Sequence, residues 1–286
     1  MTSSTASKQD MPWPTSQALD SDATEKAGKV GWLAKGVLYF IVGLLAIDVA
    51  RSGGGSGEEA SQTGALAEVA STSYGTILLA ILGAGLLLYG LWKAVRAFLP
   101  GDQTAKGVGK RVVWLGSGIV YVFLAVTAFS IAFGGGSSSG SGGGGESWPE
   151  SLTSTLLENS FGQILVAAVG LAFIIGGIVI AVWAYKEKFL EKMETGRMSA
   201  TERTWSRRLG IVGYIARGIV YGLIGGFFIQ AAMTANPDDA KGLGGALADV
   251  AGSTGGSILI WIVAVGLVLY GIFAVVSARF QELERP

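Results

Sequence analysis

Six apolar runs, each about 20 residues long, leave this chain of 286 residues few folds to choose from. They are Val30–Ala50, Thr76–Phe98, Val112–Phe133, Gln163–Ala184, Leu209–Met233 and Ser257–Ala278. A helix that rises about 1.5 Å per residue crosses a hydrocarbon core of about 30 Å in such a length, with some tilt. A soluble helical bundle would need polar stripes on its outward faces, and these runs lack them. The six prolines, at positions 12, 14, 100, 149, 237 and 286, all lie outside the runs, so proline kinks and broken helices are not expected.

Composition matters for what it excludes. Hydrophobic residues make up 50% of the chain and charged ones 15%, well to the apolar side of soluble proteins. Basic and acidic residues number 21 each, so no net charge points to nucleic acid. There is no Cys and no His, which removes disulfides, thiolate chemistry, Cys or His metal sites, bis-His haem and imidazole proton shuttles. Neither a metal nor a cofactor is expected, and any acid–base work would fall to carboxylates. Walker loops, dinucleotide fingerprints and nucleophile–base pairs are likewise missing from the sequence.

The distribution of charge predicts orientation. Lys8, Lys26 and Lys29 precede the first run; Lys106, Lys110 and Arg111 separate the second from the third. Seven more basic residues, from Lys186 to Arg208, separate the fourth from the fifth. The alternate loops hold only Arg51 and Lys241 and are otherwise acidic, with Glu58, Glu59, Glu68, Glu146, Asp238 and Asp249 among them. Because cytoplasmic flanks retain Lys and Arg, both termini are predicted to be cytoplasmic. Residues 1–28, with Asp10, Asp20, Asp22 and Glu25 and no apolar core, read as a disordered cytoplasmic tail and not as a cleaved leader. Gly134–Gly145, GGGSSSGSGGGG, reads as a flexible outer linker. Between the fourth and fifth runs, AYKEKFLEKME continues a helical pattern to a stop at Thr195 and Gly196. SATE at Ser199 then fits a capping box for the next helix. The connector reads as solvated and charged, without a binding role.

The runs are also copies of one another. AKGVLY at Ala34, GSGIVY at Gly116 and ARGIVY at Ala216 share a small residue, a variable polar residue, Gly, two aliphatics and Tyr. The second and sixth runs share GLLLYG at Gly85 and GLVLYG at Gly266, where the fourth has Ala172, Gly176 and Gly177. Before them stand TGALAEVASTSYG at Thr63, GGALADVAGSTGG at Gly244 and the diverged SLTSTLLENSFG at Ser151. Leu66, Val69 and Ala70, and again Leu247, Val250 and Ala251, share one face of a short helix that should lie on or dip into the outer surface. The chain thus divides into repeats at 29–100, 101–185 and 209–280, with a cytoplasmic connector at 186–208 and a cytoplasmic tail at 281–286. The fold expected is an all-α membrane protein, six transmembrane helices as three parallel two-helix repeats, pseudo-threefold about the membrane normal. The mitochondrial carriers, which also have three repeats, carry a proline signature in their odd helices that is absent here.

With its repeated ARGIVY and GALADVA-type segments, the chain resembles the bacterial membrane family known as domain of unknown function 1206, over roughly Lys29 to Phe280. Repeat two departs from the pattern, with Ser117 for the basic residue and Gly176 for the second-span Tyr. The resemblance implies fold and a bacterial inner-membrane location, and no activity.

Candidate polar or ligand-contacting positions follow from the repeat, each with a plainer account beside it. Lys35 and Arg217 lie about one and a half turns inside their runs, and Ser117 occupies the equivalent place. An intramembrane cation points to a ligand or lipid-phosphate site, but at that depth snorkelling to cytoplasmic headgroups is the preferred account. Tyr39, Tyr121 and Tyr221 each follow a repeat glycine by three residues and share its face. They form either a ring of hydroxyls around a central cavity or, the preferred account, cross-helix hydrogen bonds within glycine-mediated packing. Asp48, Ser130 and Gln230 each follow it by twelve. Asp48 is a candidate cation or proton site, with an interfacial pair to Arg51 as the preferred account. Nine residues separate Tyr39 from Asp48, about 180° on a helix, so both rings cannot face one axis. Gly36, Gly118, Gly218, Gly222 and Gly226 are assigned to helix packing.

The functional expectation is a non-enzymatic membrane protein with one of two roles. One is a small-solute or ion pathway along the repeat axis; the other is a structural or lipid-interacting scaffold, with membrane lipid as partner. A polar cavity lined by Tyr39, Tyr121 and Tyr221 would favour the first, and a dry, glycine-packed centre the second.

Overall fold

The computed structural model describes residues 22–54, 60–98, 105–134, 156–157, 160–253 and 255–280. Eight helices lie wholly among the described residues: α1 (Asp22–Ser52), α2 (Gln62–Ser71), α3 (Gly75–Phe98), α4 (Ala105–Phe133), α5 (Ser160–Tyr185), α6 (Ala200–Thr234), α7 (Leu243–Gly252) and α8 (Gly256–Ser277). Short 3-10 turns occupy Leu190–Lys192, Thr195–Arg197 and Pro237–Asp239. Helices α1, α3, α4, α5, α6 and α8 are long and apolar enough to cross a bilayer, which makes this a multi-pass membrane protein. α1 begins at Asp22, two turns before the apolar run and inside the segment read as a disordered tail. The rest of that tail, most of Gly134–Gly145, most of the Ser151 copy and residues 281–286 lie outside the described residues.

The six spans form a ring whose strongest seams join successive repeats. α3 packs on α4, α5 on α6, and α8 on α1, so the second span of each repeat meets the first span of the next and the last repeat closes on the first. This cyclic pattern is the pseudo-threefold arrangement that the repeats predict. Glycine sets the approach at three equivalent places. A Cβ on Gly36 would lie 2.9 Å from the Val275 backbone N, one on Gly118 3.0 Å from the Gly90 carbonyl, and one on Gly218 2.7 Å from the Gly177 carbonyl. Without side chains there, backbones meet directly and dispersion is gained along the whole seam.

Within repeats the symmetry breaks. α1 packs on α3 and α6 on α8, whereas α4 and α5, the two spans of repeat two, share no comparable seam among the described residues. The residues give the reason. In repeat one a Cβ on Gly31 would sit 2.5 Å from Tyr89 Cβ, and in repeat three one on Gly213 would sit 2.6 Å from Tyr270 Cα. Each is a tyrosine knob in a glycine groove. Repeat two has Val113 in place of the groove and Gly176 in place of the knob.

The two ends differ. At one, here the capped end, α2 lies over α1, α3 and α4, and α7 lies over α6, α8 and α1. Leu66 and Leu247 are fully buried beneath these caps, as their shared face predicts. Ser61 caps α2 by accepting from the Gly64 N–H at 3.0 Å. At the other, the connector end, the capping box at Ser199 is present: Ser199 Oγ accepts from the Glu202 N–H at 3.2 Å and Glu202 Oε2 from the Ser199 N–H at 2.8 Å. The helix expected to run on to Thr195 instead stops at Tyr185. Glu187 takes a left-handed φ of 55°, and the turn it makes folds Phe189 and Met193 into the core. Phe189 lies against Trp183, Tyr214 and Phe273, with ring centroids 6.0, 5.6 and 5.4 Å away. Apolar burial therefore pulls in a segment whose charge density suggested full solvation.

Candidate functional site

The centre of the ring is hollow. A cavity of about 1190 Å³ runs from Ser61, Gln62 and Thr63 at the capped end to Trp92, Lys93 and Lys192 at the connector end. Its wall includes six of the nine equivalent polar positions of the repeat: Lys35, Ser117 and Arg217, and Tyr39, Tyr121 and Tyr221. Apart from these and the polar residues at its two ends, the wall is mostly aromatic and aliphatic. The tyrosine face therefore looks inward.

Lys35 does not snorkel. It is 6% exposed, and its ammonium sits among five rings: Trp32 at 4.6 Å from the centroid, Tyr89 at 5.6, Tyr270 at 5.7, and Tyr39 and Tyr121 at 6.0 Å. The cage is built by geometry at several levels. Trp32 and Tyr39 lie three residues before and four after Lys35 on one face of α1. The seam to α3 delivers Tyr89, the seam to α8 delivers Tyr270, and Tyr121 stands edge-on to Tyr89 at 4.8 Å. Trp32 is held by donating from Nε1 to Ser277 Oγ at 3.0 Å. Tyr39 OH accepts from Gln62 Nε2 at 3.2 Å, which ties the cage to the α2 cap.

Arg217 faces the same cage from the opposite side. Its guanidinium lies 4.8 Å from the Tyr270 ring and 5.1 Å from the Tyr39 ring, two rings it shares with Lys35. It donates to Tyr270 OH at 2.9 Å and to Tyr221 OH at 3.0 Å. Tyr221 is one turn further toward the capped end, so this side chain points away from the nearer surface, opposite to the snorkelling direction. Its Nε is buried and has no hydrogen-bond partner. No ion pair reaches either cation among the described residues; the pairs present are Arg197 with Glu194, Arg207 with Glu187, and Lys241 with Asp249, all outside the cavity.

This electrostatic balance is incomplete. A desolvated cation–π contact is worth about 2 kcal/mol or more, but it supplies no counter-charge. Removing an ammonium or a guanidinium from water costs several kcal/mol per ion even after relaxation. The two like charges also repel across shared rings. An anion entering between them would remove the repulsion and supply the acceptor that Arg217 Nε lacks.

The remaining predicted positions fall elsewhere. Asp48, Ser130 and Gln230 are exposed on the outside of the ring and do not meet. Among the described residues no ion pair joins Asp48 to Arg51. Gly36, Gly118 and Gly218 lie in seams as assigned; a Cβ on Gly222 or Gly226 would meet nothing within 4 Å, although the Gly222 backbone N lies 3.3 Å from a Cβ built on Gly177 and so borders the α5–α6 seam. The next seam glycine of α6 is Gly225, seven residues after Gly218, where a Cβ would come 2.5 Å from the Gly170 carbonyl. On α6 the glycines whose Cβ position is blocked by α5 thus recur at a spacing of seven, with the Gly222 backbone between them and its Cβ position open. Sequence reasoning missed Tyr89, Tyr270, Trp32 and Gln62 as cage residues. The shared GLLLYG and GLVLYG segments held the signal for the first two, because a tyrosine beside a seam glycine must sit at the edge of the seam and so reach the axis.

The family model described as Domain of Unknown Function (DUF1206) matches the chain three times, at residues 30–99, 112–187 and 212–281. The chain belongs to this family. It is also similar to the uncharacterized protein YxxB of Bacillus subtilis (strain 168), at 31% identity over 262 residues, which cover 91% of this chain and 92% of that protein. No solved structure matches it. In this DUF1206 chain each matched segment supplies one of the three equivalent tyrosines Tyr39, Tyr121 and Tyr221 to the cavity, and of the equivalent positions 35, 117 and 217 only the first and third carry a cation.

Proposed function

We propose that the protein is a non-enzymatic binding protein of the bacterial inner membrane, whose central cavity holds an anionic ligand between Lys35 and Arg217. One observation carries this reading: two cations inside the ring are surrounded only by rings and hydroxyls. Arg217 Nε lacks any acceptor. The tyrosine hydroxyls of Tyr39, Tyr121 and Tyr221 complete the anion's surroundings as donors. The hollow axis favours a ligand site over a purely structural role, because the close glycine contacts lie in the seams and leave the centre open. The cluster of Lys and Arg at the connector end supports a cytoplasmic location for that end and for both termini.

Binding of butyl phosphate to the protein in neutral detergent tests the reading. Trp32 reports the event by fluorescence, since its ring lies 4.6 Å from the Lys35 ammonium. A hydrogen bond to a charged group is worth about 1.5–3 kcal/mol, so Lys35→Met and Arg217→Gln should each weaken binding by roughly ten- to a hundredfold. Equal affinity in the wild type and both variants, each still folded and monodisperse, removes the anion site.

A further inference from the structure

We infer that the ligand is a lipid with a phosphate headgroup, which enters sideways from the bilayer between α4 and α5. This rests on the anion site proposed above and adds the class of molecule and its route.

Among the described residues the ring has one open seam, the one between α4 and α5. Its two edges are apolar and belong to the cavity and to the outside at once. Ile119, Val120 and Phe123 on α4 and Val179 on α5 line the cavity, yet they are 63%, 46%, 41% and 59% exposed. A wall residue that is half exposed marks an opening, and an opening edged by aliphatic side chains at membrane depth leads into lipid. The opening has a cause in the sequence. Val113, which replaces the groove glycine, is 65% exposed, and a Cβ on Gly176, which replaces the knob tyrosine, would meet only Tyr221, at 4.0 Å.

The cavity and the opening together ask for an amphiphile. At about 1190 Å³ the cavity exceeds the roughly 300–1,000 Å³ that holds a drug-sized molecule, and far exceeds an inorganic anion. Of the four cations that line it, Lys93 and Lys192 stand at the connector end, and Lys35 and Arg217 meet deeper inside, where they share the Tyr39 and Tyr270 rings. Beside them, the α5 wall offers Phe173, Val169 and Ile180 and no charged group. A phosphate headgroup satisfies the cations, including the unpartnered Arg217 Nε, while the hydrocarbon chain lies in the open seam and continues into the bilayer. Such a ligand need never cross water. A free phosphate uses the same cations but leaves the seam without a role.

Competition between lipids separates the two. Wild-type protein in neutral micelles is given equal amounts of dioleoyl phosphatidic acid and dioleoyl phosphatidylcholine, and retained lipid is read by native mass spectrometry. Phosphatidic acid should be retained at least tenfold over phosphatidylcholine, and Lys35→Met should erase the preference. Val120→Trp, a substitution on the exposed edge of the opening, should cut retention of phosphatidic acid at least fivefold and by more than it weakens butyl phosphate binding. The pair Val113→Gly with Gly176→Tyr, which restores the groove and knob of the other repeats, should do the same. Butyl phosphate binding without a preference for phosphatidic acid would overturn the lipid inference and leave the anion site standing; failure of both ligands would overturn both. Unchanged retention in the Val120→Trp protein would overturn sideways entry.

Discussion

Alanine at Gly218 and alanine at Gly222 differ by one helical turn and should differ in sign. A Cβ at 218 would stand 2.7 Å from the Gly177 carbonyl oxygen and 3.4 Å from Ala181 Cβ, so the nearer contact falls about 0.7 Å short of ordinary contact at 3.4 Å. Both neighbours belong to α5 and the closer one is backbone, which cannot rotate away. The helices must separate by about that distance. A radial gap of 0.5–1 Å forfeits roughly a quarter to a half of each dispersion well. If the seam holds only as many atom pairs as one buried leucine, about 40 at about 0.15 kcal/mol each, then about 1.5–3 kcal/mol is lost. Replacing a helical glycine returns about 0.5–1 kcal/mol, which leaves a net destabilisation of about 1–2 kcal/mol. At Gly222 nothing lies within 4 Å, so only the helix gain of about 0.5–1 kcal/mol remains. Unfolding by sodium dodecyl sulfate in mixed micelles, followed by tryptophan fluorescence, reads the difference. Equal destabilisation by the two variants, or a neutral Gly218→Ala, refutes the assignment of the seam and returns the small-xxx-small stripe to its face-value reading.

Phe189→Ala removes the ring that the connector inserts among Trp183, Tyr214 and Phe273 and should cost about 3–5 kcal/mol locally, seen as faster tryptic cleavage in the 186–197 connector of the reconstituted protein; an unchanged cleavage rate counts against a docked connector. Asp48→Asn, on an exposed outer position, should leave unfolding within about 0.5 kcal/mol of the wild type and butyl phosphate binding unchanged, and a shift in that binding beyond threefold would place Asp48 in the ligand's electrostatic field.

The spans and the repeat were legible because both are properties of one strand of sequence. Apolar length marks each helix, and Gly36, Gly118 and Gly218 can be aligned without knowing what they touch. The packing partner was not legible at Gly222 and Gly226. A run of glycines four apart satisfies the small-xxx-small pattern, but which stripe meets a neighbour depends on where α5 lies. The same limit hid the cage. Lys35 and Arg217 stand 182 positions apart, and nothing local says that Tyr39 and Tyr270 will lie between them. Depth along a helix argued for snorkelling; it was overruled because α1 carries Trp32 and Tyr39 on the lysine's own face and the seams bring in Tyr89 and Tyr270. The half-turn between Tyr39 and Asp48 was legible as a choice, and the cage decides it.

The departures of repeat two acquire a common meaning in the ring. Taken singly, Ser117 for a cation, Val113 for Gly and Gly176 for Tyr are each an erosion of a motif. In the ring they fall on the same side of one cavity. Val113 and Gly176 open the seam, and Ser117 leaves the α4 edge without the repeat's cation, so the two equivalent cations stand on α1 and α6 and not on that edge. A third cation at position 117 would have placed a charge beside the lipid-exposed edge of α4, where burial is least and the cost of facing hydrocarbon greatest. An opening into lipid and a neutral residue beside it therefore belong together, and a variant that restores the cation alone, Ser117→Arg, should be less well tolerated than one that also restores the groove and the knob.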